Sequence, residues 1–93
     1  MNRLVIVDID GTISKPGKRL KYLKQDKPDW DSFYNDCFDD EPILEMIDLV
    51  NILSAHYRII FCTGRRESIR EKTEAWISKW LGLEDYVLLM RPD

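Results

Sequence analysis

Three short apolar runs divide the chain, and each of them ends abruptly in polar residues. They occupy residues 4–7, 57–62 and 86–90, and the first of them, Leu-Val-Ile-Val, contains no polar residue. A continuous apolar run rich in β-branched residues is typical of a strand that is buried on both faces of a parallel sheet. The runs therefore predict three strands of one parallel sheet.

Amphipathic helical patterns precede the second and third runs. Residues 42–54 and 67–81 each place apolar side chains along one stripe at helical spacing. Pro42 stands at the start of the first pattern and Gly82 directly after the second, positions that suit the first and last turns of a helix. This alternation indicates an α/β fold with right-handed crossovers, in which active sites lie at the carboxyl ends of the strands.

A long insert, residues 13–41, follows the first strand and has segregated charge. Basic residues dominate positions 15–27, and acidic residues dominate positions 29–41. The aromatic rings of the second half either pack the insert onto the sheet or stack on nucleobases. The basic run either follows a phosphate backbone or forms a solvated loop. Helical spacing in the second half predicts a short amphipathic helix, capped by Asp29, with the stripe Trp30, Phe33, Tyr34, Cys37 and Phe38.

The composition excludes several classes of protein. Fourteen basic and seventeen acidic residues leave a net charge of −3, so no overall cationic field attracts nucleic acid or an anionic membrane. No apolar run approaches the roughly 20 residues of a membrane helix, and the N-terminus lacks the apolar segment of a signal peptide. Cys37 and Cys62 form no disulfide or zinc pattern and are expected to be small buried side chains. We therefore expect a cytoplasmic protein without membrane contact.

Two carboxylates follow the first predicted strand. Asp8 and Asp10 are two residues apart, so in an extended chain their side chains point the same way and can reach one pocket. Carboxylate oxygens and retained waters suit Mg²⁺. One carboxylate could attack a phosphorus atom while the other gives and takes a proton. Gly11 lets the backbone turn and leaves N–H groups open to a phosphate oxygen.

The second predicted strand ends in a complementary set of groups. Thr63 offers a hydroxyl donor, Gly64 an unhindered backbone amide and Arg65 a guanidinium group. We expect the next helix to begin at this point and to direct its positive end toward the same pocket. Together these groups predict an anion-binding site beside the two carboxylates.

The sequence resembles the haloacid dehalogenase superfamily of phosphohydrolases. The resemblance rests on residues 8–12, Asp-Ile-Asp-Gly-Thr, and on residues 59–65, which end in Thr-Gly-Arg. In more detail the chain is similar to the 3′-phosphatase module of phage polynucleotide kinase–phosphatases, which act in nucleic-acid repair. The matching blocks are Asp29-Trp30, Phe33-Tyr34, Asp40-Glu41-Pro42-Ile43, Thr73-Glu74-Ala75-Trp76 and Leu89-Met90-Arg91-Pro92.

The resemblance implies one domain over residues 1–93, a three-layer sandwich around a Rossmann-like parallel sheet with strand order 3-2-1. Residues 13–41 would be a small insert, or cap, after strand 1. Family members carry a lysine and further acidic residues beyond the third strand, whereas this sequence ends at Asp93. We therefore expect a C-terminally truncated domain whose last strands are missing. The first strand would then be an exposed edge, which predicts a homodimer through that strand.

The resemblance also implies the roles of individual residues. Asp8 corresponds to the nucleophile that forms an aspartyl-phosphate and binds Mg²⁺, and Asp10 to the general acid/base, whose backbone carbonyl is a second metal ligand. Thr63 corresponds to the hydroxyl that holds the phosphoryl group, with Gly64 and Arg65 in the adjoining phosphate turn.

The implied function is that of an Mg²⁺-dependent phosphomonoesterase acting on the 3′-phosphate ends of polynucleotides, including single strands. Two alternatives stay open at this point. One is a phosphatase of a free nucleotide or another small phosphomonoester. The other is a catalytically incomplete fragment that binds phosphate or nucleic acid.

Overall fold

Strands and helices succeed one another in the order that the sequence predicts. The computed structural model describes residues 3–93. The strands are β1 (Leu4–Val7), β2 (Ser14–Lys15), β3 (Glu41–Pro42), β4 (Arg58–Arg66) and β5 (Tyr86–Arg91). The α-helices are α1 (Trp30–Asn35), α2 (Leu44–Leu53) and α3 (Arg70–Trp80), and short 3₁₀ helices cover Gly17–Tyr22, Asp36–Asp39 and Glu67–Ile69.

The strands β1, β4 and β5 form one parallel sheet. Its order is β1-β4-β5, and Val7 lies opposite Phe61, which lies opposite Leu88. Read from β5, this is the strand order 3-2-1, so the predicted α/β fold and its sheet are confirmed. In residues 3–93, β1 has a partner on one side alone and forms an edge of the sheet.

One face of the sheet carries the hydrophobic core. Val7, Phe61 and Leu88 form a row across the three strands, and all three are buried. The row belongs to the same cluster as the buried side chains of the two longest helices, Ile47 and Val50 of α2 and Trp76 and Ile77 of α3. Burial of this apolar surface, at about 25 cal/mol per Å², holds both helices against one face of the sheet.

The opposite face of the sheet is bare. Ile6 is 70% exposed and Leu89 52% exposed, and Cys62 is exposed between them on β4. Right-handed crossovers that run in one direction along a sheet place their helices on the same face, so the described residues supply two layers of the predicted three. The prediction that Cys62 is buried is wrong for this reason, whereas Cys37 is fully buried as predicted.

The insert leaves the sheet and returns beside it. β2 and β3 pair antiparallel, with Ser14 opposite Pro42, and so close the base of the insert. Helix α1 is the first part of the predicted amphipathic helix, and the Asp29 carboxylate caps it by accepting from the Ser32 N–H at 3.1 Å. Cys37 and Phe38 of the predicted stripe lie in the 3₁₀ helix that follows. Within residues 3–93, no helix has the length and apolar character that crossing a membrane requires.

Candidate active site

Asp8 stands directly after β1, at the carboxyl end of the sheet. Its side chain is exposed, and its Oδ2 lies 3.5 Å from the hydroxyl of Thr12, at the limit of a hydrogen bond. No lysine or arginine of residues 3–93 lies within ion-pair distance of this carboxylate. The Asp8 carboxylate is therefore uncompensated and open to a cation or to an incoming phosphorus atom.

A tight turn follows Asp8 and is organised around one carbonyl. The Ile9 oxygen accepts from the backbone N–H groups of Thr12, Ile13 and Ser14 at 3.0–3.2 Å. Gly11 has φ +82°, a left-handed conformation that favours glycine. Its own N–H donates to the Ser14 carbonyl at 2.9 Å. This differs from the expectation of a free amide at Gly11, because closing the turn occupies that donor.

Two arginines hold the carboxylate of Asp10. Its Oδ1 accepts from Nη2 of Arg19 and from Nη2 of Arg65, each at 2.8 Å, and its Oδ2 accepts from Nε of Arg65 at 3.1 Å. The Ser14 hydroxyl adds a contact of 3.3 Å. Both guanidinium groups are almost completely buried, whereas the Asp10 side chain is 28% exposed. The Asp10 carboxylate thus lies at the surface of a buried charged cluster.

A second buried carboxylate, Asp40, completes this cluster. Arg19 donates to it through Nε at 2.7 Å and Nη2 at 2.6 Å, a two-point contact typical of arginine–carboxylate pairs. Nη2 of Arg65 lies 3.5 Å from Asp40 Oδ2. The backbone carbonyl of Asp40 accepts from the indole N–H of Trp76 at 2.9 Å, which ties the cluster to α3. Two aspartates and two arginines thus form a charge-balanced network beside the exposed Asp8.

The network keeps Asp10 ionised. Burial by itself raises the pKa of Asp10, but the hydrogen bonds and positive charges of Arg65 and Arg19 outweigh burial, and the pKa is lower than the ordinary value for aspartate. Asp10 is therefore a carboxylate at neutral pH. In this state it can accept a proton, and its lowered pKa makes it a weaker base than an ordinary aspartate.

The second motif does not start a helix. Residues 63–66 are the last four residues of β4, and the register between β4 and β5 shifts between Cys62 and Arg66. A 3₁₀ helix follows, and α3 begins only at Arg70. The expectation that a helix end faces the pocket at this point is wrong, because the strand continues through the motif.

The side chains of this motif differ in their accessibility. Thr63 is nearly buried, and its Oγ1 accepts from the Arg65 backbone N–H at 3.1 Å, which leaves the hydroxyl hydrogen available as a donor. Gly64 is exposed. The guanidinium of Arg65 is 1% exposed and also donates to the hydroxyl of Thr73 at 3.1 Å. Arg65 therefore acts on the pocket through its hold on Asp10.

Sequence reasoning missed Arg19 and Asp40 as members of this site. Arg19 was placed in the basic run of the insert, and Asp40 in its acidic half. The one available signal is that Arg19 is the sole arginine among lysines at positions 15–27. Arginine is preferred over lysine in buried two-point pairs with carboxylates. Asp40 begins one of the blocks that match the phosphatase module, but nothing in the sequence indicates that its side chain is buried against arginines.

The donors at the end of β1 suit a hard divalent cation that keeps part of its water shell. The Asp8 carboxylate is free, whereas the Asp10 carboxylate is occupied by guanidinium groups and can contribute only its backbone carbonyl. No cluster of three or more acidic, cysteine or histidine side chains suited to a metal occurs within residues 3–93. Mg²⁺ is commonly bound by one or two carboxylates together with waters and substrate phosphate oxygens. The donor set fits such a cation.

Comparison with known proteins identifies relatives of the chain. Residues 2–93 match the family described as the polynucleotide kinase PNKP phosphatase domain. The chain is 33% identical over 92 residues to the "Putative bifunctional polynucleotide kinase/RNA ligase" of Autographa californica nuclear polyhedrosis virus. It is similar in structure to a chain of the solved Pnkp1/Rnl/Hen1 complex, with a TM-score of 0.69 and 26% sequence identity. These matches confirm the resemblance predicted from the sequence.

The chain is short beside both relatives. The alignment with the viral protein covers 97% of this chain and 12% of the viral protein. The structural match covers 98% of this chain and 28% of the chain in the complex. The described residues thus correspond to one part of each larger protein.

Proposed function

The chain belongs to the family of polynucleotide kinase PNKP phosphatase domains, and on this premise we propose that it removes the 3′-phosphate from polynucleotide ends through an aspartyl-phosphate on Asp8. One observation carries the proposal. An uncompensated, exposed carboxylate at the end of β1 lies two residues from Asp10, a carboxylate that two buried arginines hold in its ionised form.

In the first step, an Asp8 carboxylate oxygen attacks the phosphorus atom of the 3′-phosphate. A bond forms between this oxygen and phosphorus, and the bond from phosphorus to the 3′-oxygen of the strand breaks. The 3′-oxygen takes up a proton that comes from solvent by way of Asp10, and it leaves as a hydroxyl group. This step needs an unpaired nucleophile, which fits the absence of any ion pair to Asp8 among residues 3–93.

In the second step, water hydrolyses the aspartyl-phosphate. The water oxygen bonds to phosphorus, Asp10 takes the water proton, and the bond between phosphorus and the Asp8 oxygen breaks to release inorganic phosphate and the Asp8 carboxylate. Asp10 is in the carboxylate form that this step requires, and it lies two residues from Asp8. Asp10 then releases this proton to solvent and is again the carboxylate that the arginines hold.

We assign Mg²⁺ to the Asp8 carboxylate and the Asp10 backbone carbonyl, as the free donors at the end of β1. When bound, the cation neutralises phosphate charge as a Lewis acid. Thr63 is proposed to donate its free hydroxyl hydrogen to the phosphoryl group, with Gly64 leaving room beside it. Gly11 contributes the shape of the turn, and Arg65 positions Asp10.

We further propose that residues 1–93 form one domain in which the insert, residues 13–41, covers the pocket. Arg19 and Asp40, which both belong to the insert, support this by their contacts with Asp10 and Arg65.

A cytoplasmic location is proposed because Cys37 and Cys62 are free thiols, as is usual in a reducing compartment.

Phosphate release from defined ends tests the proposed function. We expect the protein with Mg²⁺ to release inorganic phosphate from an oligonucleotide with a 3′-phosphate, and to release none from the same oligonucleotide with a 5′-phosphate instead. Chelation of Mg²⁺ should stop release, and its restoration should recover it. Equal turnover of a free nucleoside 3′-monophosphate would favour the alternative of a small-molecule phosphatase.

We propose a homodimer through the edge of β1. Leu4 is 53% exposed and Ile6 is 70% exposed, and an apolar edge strand with unpaired backbone groups favours pairing with a second chain. Light scattering at micromolar concentration should give the mass of a dimer. Ile6→Lys should give a monomer, because a charged side chain on this short edge strand opposes pairing with a second chain. Leu49→Lys, on the exposed face of α2, should remain a dimer, and a monomeric parent protein would contradict the proposal.

A further inference from the structure

Two aromatic rings and two arginines face a shared cavity beside the proposed active site. The cavity has a volume of about 250 Å³ and is lined by Trp30, Tyr34, Arg66 and Arg91. The rings of Trp30 and Tyr34 are nearly parallel, with an interplanar angle of 25° and ring centroids 6.1 Å apart. Both rings lie on α1 in the insert, whereas the two arginines end the strands β4 and β5.

The arginines of this cavity carry uncompensated charge. Arg66 and Arg91 are register partners across the last pair of positions of β4 and β5, and both are exposed. No carboxylate of residues 3–93 lies within ion-pair distance of either guanidinium group. The nearby carboxylate of Asp93 accepts instead from the backbone N–H of Ser68 at 3.2 Å. Two adjacent cations without a protein counterion attract an anion, and arginine suits the two-point recognition of phosphate.

Some rings of the aromatic stripe of the insert are buried against neighbouring side chains, and others are exposed to solvent. Phe33 is buried, and its ring lies under the Arg19 guanidinium at 4.4 Å. Trp30 is 49% exposed although its ring meets Phe33 edge to face at 5.9 Å. The buried ring of Phe33 has a packing role. The ring of Trp30 contacts Phe33 and Tyr34 but still presents a large apolar surface to solvent. Such a ring is suited to stack on a base, which has a flat apolar surface of its own.

We propose that Trp30, Tyr34, Arg66 and Arg91 form the binding site for the strand that carries the reacting phosphate. A base of that strand stacks on the rings of α1, and a backbone phosphodiester lies between the two guanidinium groups. Arg66 and Arg91 end β4 and β5 at the carboxyl edge of the sheet, where Asp8 and Asp10 follow β1, so the site lies at the same end of the sheet as the proposed reaction. The inference rests on the proposed function and specifies its substrate as a single-stranded polynucleotide end.

Binding of a reaction product tests this site without requiring turnover. The probe is a short, fluorescently labelled single-stranded oligoadenylate with a 3′-hydroxyl end, and fluorescence anisotropy gives its dissociation constant at several salt concentrations. We expect Trp30→Leu to weaken binding about tenfold, the scale of one lost base–aromatic stack. We expect Arg91→Gln to weaken binding and to lower the slope of log affinity against log salt by about 0.7, the value for one lost phosphate contact to a single strand.

Two matched controls separate the site from general effects. Phe38→Leu removes another partly exposed aromatic ring of the insert, and Arg58→Gln removes an exposed arginine at the opposite end of β4. Both should bind the probe as the parent protein does. The inference is overturned if the parent protein does not bind the probe, if Trp30→Leu and Arg91→Gln bind as tightly as the parent, or if the controls lose as much affinity.

The outcome for this site is distinguishable from the outcome for the proposed function. If the probe binds through Trp30 and Arg91 while a 3′-phosphorylated strand yields no phosphate, the strand-binding site stands and the proposed reaction fails. If phosphate is released while these variants bind the probe as the parent does, the reaction stands and the strand-binding site fails.

Discussion

Replacing Asp8 with asparagine is expected to abolish both phosphate release and covalent phosphorylation of the protein. An amide is a far weaker nucleophile than a carboxylate, and the change also removes one negative charge from the proposed Mg²⁺ site. The loss should exceed the about 10²–10³-fold cost of removing one charge-stabilising donor. Phosphate release from a 3′-phosphorylated oligonucleotide measures turnover, and mass spectrometry of acid-quenched protein measures the phosphoryl group on the chain.

A matched control separates this effect from a change in net charge. Asp26→Asn makes the same substitution at an exposed position of the insert and should keep the activity of the parent protein. If Asp8→Asn releases phosphate at the parental rate, Asp8 is not the nucleophile and the aspartyl-phosphate mechanism must be abandoned.

Replacing Asp40 with asparagine is expected to lower the free energy of unfolding by about 3–5 kcal/mol. The substitution leaves the Arg19 guanidinium, 2% exposed, without the carboxylate that accepts from its Nε and Nη2. Removing one partner of a buried ion pair is strongly destabilising, and here the two buried guanidinium groups would be left to share the single carboxylate of Asp10. Urea unfolding monitored by circular dichroism measures the change. For a domain with a total stability of about 5–15 kcal/mol, such a loss is a large fraction.

The adjacent residue provides the control for this prediction. Glu41 forms an exposed pair with Lys18, in which Nζ lies 3.7 Å from Oε1. Glu41→Gln should change the free energy of unfolding by no more than about 1 kcal/mol, as is usual for surface pairs. Equal stability of Asp40→Asn and the parent protein would show that the Arg19–Asp40 contact does not stabilise the folded insert.

The elements that were predicted correctly are those whose sequence pattern lies within the element itself or next to it in the chain. The continuous apolar runs became β1, β4 and β5, and their order followed from the resemblance. The first part of the stripe of the insert became α1, whose start at Trp30 follows from the capping side chain of Asp29, one residue earlier. Each of these signals depends on residues a few positions apart, so no knowledge of distant contacts was needed.

The features that were missed all depend on distant residues. β4 continues through residues 63–66 because this stretch still lies beside β5, where Arg66 is the partner of Arg91. Cys62 lies on an apolar strand yet is exposed, because both crossovers place their helices on the other face of the sheet. Periodicity along the chain does not indicate which face of a strand a neighbouring element covers.

The sequence by itself determined the α/β alternation, the parallel sheet and the position of Asp8 and Asp10 at the end of the first strand. Only the tertiary structure decided which charged groups meet there. Arg19 and Asp40 are 21 positions apart, and they meet because the insert folds back on itself. Arg65 and Asp10 are 55 positions apart, and they meet because β1 and β4 are neighbours in the sheet. A guanidinium group has the same chemistry in a solvated loop and in a buried network. What differs is the set of carboxylates that folding places within reach of the guanidinium groups. Arg19 and Arg65 contact Asp10 and lower its pKa, whereas no ion pair forms to Asp8 among residues 3–93.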